Sequence, residues 1–167
     1  MTFKFRRLLP TCGLWLLAAS IQAQTLDTVS AQGRPLVQDF PQSSLIIDTS
    51  DNSCEHFGIF IASERNAQAR GLMFVREMPD DVGMLFIHPS ERMISMWMKN
   101  TLIPLDMVFI DSSGVVIHIA QNTVPGSLDS ISSMQPALGI LEINGGLAAR
   151  LGISPGDLVR HPFFGSL

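Results

Sequence analysis

Lysine and tryptophan are nearly absent from this sequence, which contains two of each among its 167 residues. One lysine and one tryptophan lie in the first 23 residues, so the rest of the chain keeps a single tryptophan, Trp97, and a single lysine, Lys99. Beyond residue 23 the cations are scattered as well, and no run of five like charges occurs. Because proteins bind nucleic-acid phosphates through clustered cations, we expect no nucleic acid among the partners.

Cysteine and metal-ligand spacings are equally scarce. The chain has two cysteines and four histidines, with no C-x-x-C pair and no two histidines four residues apart. These spacings argue against the usual zinc motifs, and we expect no metal site of that kind and no cofactor. Cys12 lies within an expected export signal, so Cys54 is expected to have no intramolecular partner after processing. A buried thiol, an intermolecular disulfide and a reactive thiol remain open for Cys54.

The first 23 residues have the pattern of a signal peptide. MTFKFRR is basic, LLPTCGLWLLAAS is apolar, and small residues lead to a cleavage site after Ala23. The apolar run is shorter than the roughly 20 residues that span a bilayer, so no stable membrane insertion is expected after cleavage. Cleavage removes three of the eleven Lys and Arg and none of the fifteen Asp and Glu, which leaves a formal charge of −7. We expect a periplasmic or secreted bacterial protein.

The processed chain is expected to form one mainly β domain. Residues 24–42 are polar, contain prolines and lack a period, which predicts a loose N-terminal segment before a domain over 43–167. Two short helices are predicted, one from Ser63 to Gly71 and one over 146–152. No helix of crossover length separates most strands, so the pattern favours an antiparallel sandwich or barrel. About eight short strands are predicted, at residues 43–50, 56–63, 83–87, 92–98, 104–111, 115–120, 138–144 and 158–163.

The segment WMKNTLIPLD (97–106) contains the residues that most suggest a site. In an extended strand Trp97, Lys99 and Thr101 would lie on one side, where an aromatic ring and an ammonium can hold an anionic or planar ligand. The alternative is an exposed lysine whose aliphatic part covers the indole ring. Asp106 and Glu142 are carboxylates within predicted apolar strands. Two explanations are open: each acid is hydrogen-bonded to structural partners, or the two form a functional cluster with Lys99.

Methionines form a second unusual cluster. Six of the eight methionines beyond residue 23 fall between residues 73 and 98, with His88 among them. Thioether sulfur prefers Cu(I), although methionine more commonly fills irregular parts of a core. The six are Met73, Met78, Met84, Met93, Met96 and Met98.

Several motifs resemble the domain of unknown function 192 family. They are RGLMFVREMPDDVGMLF (70–86), WMKNTLIPLDMVFID (97–111), GVV (114–116), LEINGG (141–146) and GD (156–157). The resemblance covers roughly residues 44–162 and implies a compact β-sandwich or barrel of small exported bacterial and archaeal proteins, with no established activity. We expect several of the matching positions to line one concave surface. These positions are Arg70, Trp97, Lys99, Asn100, Thr101, Asp106 and Glu142.

Taken together, these observations favour a periplasmic domain that binds a small polar or anionic ligand. In this hypothesis Asp106 orients Lys99 beside Trp97. One alternative is an enzyme in which Lys99 acts with Asp106 or Glu142 as acid and base. The other is Cu(I) handling by the methionines between Met73 and Met98. The sequence leaves the oligomeric state open.

Overall fold

The computed structural model of the chain describes residues 39–165. The expected signal peptide and residues 24–38 of the expected N-terminal segment lie outside the described residues. No helix within residues 39–165 is long and apolar enough to cross a membrane. The strands are β1 (Gln42–Asp48), β2 (Cys54–Ala62), β3 (Val82–Arg92), β4 (Ser95–Met96), β5 (Leu105–Ile110), β6 (Val116–Thr123), β7 (Ile131–Ser132), β8 (Ala137–Asn144) and β9 (Leu158–Arg160). The helices are α1 (Arg65–Arg70) and α2 (Leu147–Arg150), and a 3₁₀ turn covers Pro162–Phe164.

A curled seven-stranded sheet forms the centre of the domain, in the order β6-β5-β8-β3-β2-β1-β9. Strands β4 and β7 form a separate two-stranded sheet. The predicted mainly β fold with two short helices is therefore confirmed. Among the described strands, β2 and β3 form the one parallel pair, and the other neighbours are antiparallel. A parallel pair requires a crossover connection, which α1 and residues 71–81 provide here.

The three central strands, β3, β5 and β8, are covered on both faces. One face carries Met84, Met107 and Glu142, and the crossover and residues around β4 pack over it. The opposite face carries Leu85, Val108 and Leu141, and α2 packs over it. Burial on both faces explains why these strands are nearly continuous apolar runs, as in LDMVFI of β5, where every residue is buried.

Local turn chemistry explains several element boundaries. The β5–β6 hairpin turns at Gly114, whose φ of 83° is a left-handed conformation that glycine adopts readily. Helix α1 begins at Arg65, two residues later than predicted, and ends at Arg70, before Gly71 with φ 48°. Strand β3 runs on through Pro89, where an end was predicted, because a register shift between Ile87 and Arg92 accommodates the proline.

Cys54 is the first residue of β2 and is half-buried, and its state after processing stays a prediction. The chain's other cysteine, Cys12, lies outside the described residues. The Cys54 sulfur also lies 3.5 Å from Oδ1 of Asp48 at the far end of β1.

Candidate functional site

A cavity of about 550 Å³ opens over one face of the central sheet. Its lining comes from four parts of the chain, two of which follow one another in sequence. These are the end of α1 with the loop after it (68–73), β3 with Phe86, His88 and Arg92, the segment 93–99 with Thr101, and Glu142 of β8. A volume of this size suits a small organic molecule.

Five of the seven sequence-predicted residues line this cavity. Residues from α1, the β4 segment and β8 therefore meet at one surface, although up to 72 positions separate them. Asn100 and Asp106 do not line it. The five are Arg70, Trp97, Lys99, Thr101 and Glu142.

Residues 98–101 form a turn, where the sequence predicted part of an extended strand. The Thr101 N–H donates to the Met98 carbonyl at 3.0 Å, and Asn100 has φ 58°, a left-handed conformation that asparagine tolerates well. The turn places Lys99 Nζ 5.2 Å from the centre of the Trp97 ring. Both side chains are exposed at the mouth of the cavity, whereas Thr101 is buried in its wall.

Asn100 joins this turn to the crossover loop. Its carbonyl accepts a hydrogen bond from the Phe74 N–H at 2.9 Å, and its side-chain nitrogen lies 3.7 Å from the Met73 sulfur. Asn100 therefore holds two walls of the cavity together instead of facing into it.

Glu142 is the buried acid of the cavity. It is 4% exposed and lies in register between Met84 of β3 and Met107 of β5. No described residue donates a hydrogen bond to its carboxyl group, and burial raises the pKa of Glu142 to about 8. Glu142 is therefore mainly a neutral carboxylic acid at neutral pH, and in that form it can donate a hydrogen bond.

His88 and Arg92 are lining residues that the sequence did not identify as a pair. Arg92 Nη2 lies 3.0 Å from His88 Nδ1, and a guanidinium can only donate, so Nδ1 accepts and the neutral ring carries its proton on Nε2. Burial, and then the charge of Arg92, lower the pKa of His88. Within residues 39–165, His88 Nε2 is the buried side-chain polar atom without a hydrogen-bond partner. The alternation of Met84, Phe86 and His88 on one strand face was a usable signal for His88.

Positive charge is concentrated around the cavity. Residues 39–165 contain seven Lys and Arg, of which three line it, and fourteen Asp and Glu, of which Glu142 alone does. Arg70 forms an ion pair with Asp39 and stacks over Phe40. Among the described residues, Arg92 and Lys99 have no carboxylate within salt-bridge distance. The three cations are Arg70, Arg92 and Lys99.

Asp106 lies on the opposite face of the sheet from the cavity. Its Oδ1 accepts hydrogen bonds from the N–H groups of Asn122 at 2.7 Å and Gly146 at 2.9 Å, and its Oδ2 accepts one from Ala148 at 2.9 Å. The carboxylate therefore holds the first turn of α2. It does not lie beside Lys99, contrary to the pairing that the sequence suggested, because neighbouring residues of a strand point to opposite faces.

The methionine cluster is divided between two environments. Met73, Met93 and Met96 line the cavity. The other three are buried among apolar side chains of the core, and the Met98 sulfur also accepts a hydrogen bond from the Thr123 hydroxyl at 3.1 Å. Within residues 39–165, no group of three or more His, Cys, Asp or Glu is arranged to hold a metal ion. The three core methionines are Met78, Met84 and Met98.

The mouth of the cavity has an apolar rim. A flap, defined as residues 92–103 and 124–134, is held together by β4 and β7, with Met96 opposite Ile131. All the exposed large apolar side chains in residues 39–165 belong to this flap, and two of them, Met93 and Trp97, also line the cavity. They are Met93, Trp97, Leu102, Val124, Leu128 and Met134.

Comparisons with known proteins point to one family. The model of the domain of unknown function 192 family, described as an uncharacterised ACR, matches residues 46–161. A solved structure from Sinorhizobium meliloti, described as a candidate transcription regulator, is 37% identical with a TM-score of 0.73, and the match covers 74% of this chain and 96% of that one. A protein of unknown function from Novosphingobium aromaticivorans is 40% identical with a TM-score of 0.70, covering 72% and 85%. No curated protein matches significantly.

Proposed function

The chain belongs to the domain of unknown function 192 family, and we propose that it is an exported binding domain for a small organic anion. The observation that carries this proposal is that two cations, Arg92 and Lys99, line a cavity of about 550 Å³ and have no carboxylate partner within residues 39–165. Both belong to a chain in which acids outnumber bases, so their placement on one cavity favours an anionic occupant.

The rest of the lining supports a ligand with an apolar body. Phe86, Leu72 and Met96 supply apolar walls, and Trp97 offers an exposed ring beside the Lys99 ammonium. Sites for small molecules typically combine such apolar walls with a few polar groups that fix the orientation of the ligand. An organic acid with an aromatic or aliphatic body matches both parts of this lining.

Two other functions are less favoured by the same geometry. Base catalysis by Lys99 would need a desolvated ammonium, but Lys99 is exposed and Asp106 lies on the other face of the sheet. Nucleic-acid binding, which the description of the S. meliloti protein would suggest, needs a surface of clustered cations. Here the three lining cations surround a concave site of small-molecule size.

A ligand titration with three matched probes tests the proposal. Benzoate, benzamide and benzylamine share one ring and differ in charge, so the purified protein should bind benzoate most tightly, measured by NMR shifts and thermal stabilisation. Lys99→Gln and Arg92→Gln should each weaken benzoate binding by about tenfold, as expected for a lost charge-assisted hydrogen bond.

Arg76→Gln is the matched control, because Arg76 is an exposed cation that does not line the cavity. It removes the same charge and should leave benzoate binding unchanged. The proposal is wrong if benzylamine binds better than benzoate, or if all three variants behave alike.

A further inference from the structure

We propose that Glu142 acts in this site as a neutral acid that donates a hydrogen bond to the bound organic anion, so that the anion and one proton bind together. This inference rests on the proposed function and adds the recognition group and its regulation. An ionised Glu142 would place a second negative charge in the same cavity as the ligand and would repel it. Loss of the Glu142 proton is therefore the event that releases the anion.

The burial of Glu142 without a partner is the first observation behind this inference. The side chain is more than nine-tenths buried and lines the cavity, and no described residue donates to it. A buried carboxyl group without a hydrogen bond destabilises a fold, so buried carboxyl groups normally have donors around them. Asp106 shows the normal case in this protein, with three backbone N–H donors on the other face of the same sheet. Glu142 accepts no comparable hydrogen bonds from the described residues, so its carboxyl group does not stabilise the fold in this way.

The neighbours of Glu142 are the second observation. On the strands beside it lie Met84 and Met107, both fully buried and uncharged. The titratable group of β3 on this face is His88, which burial and Arg92 keep neutral through a lowered pKa. Asp106 of β5 points to the opposite face. The charge that these flanking strands place on the cavity is Arg92 of β3, and its guanidinium donates to His88.

The remaining charged groups of the cavity are engaged elsewhere or reach its mouth. Arg70 is paired with Asp39, Arg92 donates to His88, and Lys99 lies over the Trp97 ring. Burial is accordingly the sole cause found for the raised pKa of Glu142. The same cavity also contains a second buried donor, the Nε2 proton of His88, which has no partner among the described residues.

These groups define the class of ligand. Two neutral donors, Glu142 and His88, and two cations, Arg92 and Lys99, all offer protons or positive charge and no strong acceptor. The complementary ligand is an organic carboxylate whose oxygens accept hydrogen bonds and whose body is apolar. An ammonium group, which has no acceptor, would place donors against donors.

The pH dependence of benzoate binding tests the proton linkage. Benzoate is ionised throughout the range from pH 6 to 9.5, and this range stays below the ordinary lysine pKa of about 10.4. Wild-type affinity should be constant below about pH 8 and then weaken by up to about tenfold for each further pH unit. Calorimetry in buffers of different ionisation enthalpy should show proton uptake on binding near pH 8.5.

Two variants separate the donor from the charge. Glu142→Gln keeps a donor of similar size and cannot ionise, so it should bind benzoate with the same affinity at pH 7 and pH 9. Glu142→Leu removes both donor and charge and should bind about tenfold more weakly at every pH. If Glu142→Leu does not fold, the Glu142→Gln comparison with the wild type carries the test.

The outcomes distinguish the two proposals. Benzoate binding that depends on Lys99 and Arg92 but is equally strong at pH 7 and pH 9 in the wild type would overturn the role of Glu142 and leave the anion-binding proposal intact. The role of Glu142 would also be overturned if wild-type benzoate affinity fell with pH and the affinity of Glu142→Gln fell in the same way. Absence of benzoate binding at pH 6.5 would overturn both.

Discussion

Lys99 Nζ lies 5.2 Å from the centre of the Trp97 ring, at the mouth of the cavity. The two residues are exposed, and Trp97 keeps 52% of its surface in contact with solvent. An exposed cation–π contact contributes only about 0.5–1 kcal/mol to stability. Trp97, half exposed beside Lys99, therefore contributes little to the stability of the fold, and its placement favours a role in recognition.

We expect Lys99→Gln and Trp97→Leu to separate stability from binding. Each should change the free energy of unfolding by no more than about 1 kcal/mol, because only an exposed contact is lost. Each should weaken benzoate binding severalfold, since the ammonium and the ring both line the cavity. Urea denaturation and an NMR titration provide the two measurements. A variant that loses several kcal/mol of stability while binding normally would contradict this division.

Asp106→Asn should have the opposite effect. The amide keeps one oxygen for the N–H groups of Asn122 and Gly146, but its NH₂ group would face the Ala148 N–H, so one buried donor is left unpaired. We expect a loss of roughly 1–3 kcal/mol in the free energy of unfolding and faster hydrogen exchange at Ala148. Benzoate affinity of the folded protein should not change.

The control for Asp106→Asn is Asp129→Asn. Asp129 is an exposed aspartate of the flap that accepts a hydrogen bond from the Ser127 hydroxyl. Its substitution should alter stability by less than about 0.5 kcal/mol. Equal losses for the two aspartates would show that the buried hydrogen bonds of Asp106 do not hold α2.

The contrast between Asp106 and Glu142 shows where sequence-based prediction ends. Both appear in the sequence as one acid within an apolar strand, and both strands were predicted within two residues of their observed bounds. Their opposite roles depend on the register that sets Met107 against Glu142, which places the two acids on different faces. Register arises from tertiary pairing, so the alternation within each strand could not supply it.

The β4 segment shows a second limit. The run RMISMWM predicted a strand over residues 92–98, but β4 is only Ser95–Met96, and a turn follows it. Asn100, whose left-handed conformation makes this turn, was part of the motif that resembles the family. The amino-acid sequence of that motif did not reveal its backbone conformation. His88 and Arg92 likewise meet only because β3 continues through Pro89 with a register shift.

Acid should destabilise the protein partly through His88. The pKa of His88 in the folded protein lies below the ordinary 6.5, because burial and then Arg92 disfavour its charged form. The unfolded chain therefore takes up this proton first, so stability is fully present above pH 6.5 and declines as the pH falls through the folded-state value. His161, whose pKa burial also lowers, adds to the same decline.

We expect His88→Gln to show a shallower loss of stability between pH 6.5 and pH 5 than the wild type. The slope should not vanish, because His161 remains. His56→Gln is the matched control, since His56 is exposed in β2. Urea denaturation across this range gives the slopes, and identical slopes for wild type and His88→Gln would show that His88 is not buried in its neutral form.

Glu142→Gln should become more stable than the wild type as the pH rises. The pKa of Glu142 is raised from 4.5 to about 8, so the unfolded chain loses this proton near pH 4.5 while the folded protein keeps it. The unfolded state then binds fewer protons, and the wild-type free energy of unfolding falls between pH 4.5 and pH 8, by on the order of 1 kcal/mol for each pH unit. Above pH 8 the fall should level off.

The difference between the two proteins should therefore grow from pH 5 to pH 8, and denaturant midpoints at unit steps of pH measure it. Glu77→Gln is the control, because Glu77 is exposed and its substitution also removes one acidic group from the protein. Its stability should run parallel to the wild type. If Glu142→Gln also runs parallel, Glu142 is ionised in the folded state at neutral pH, and a charge or donor supplied by the cavity must compensate for its burial.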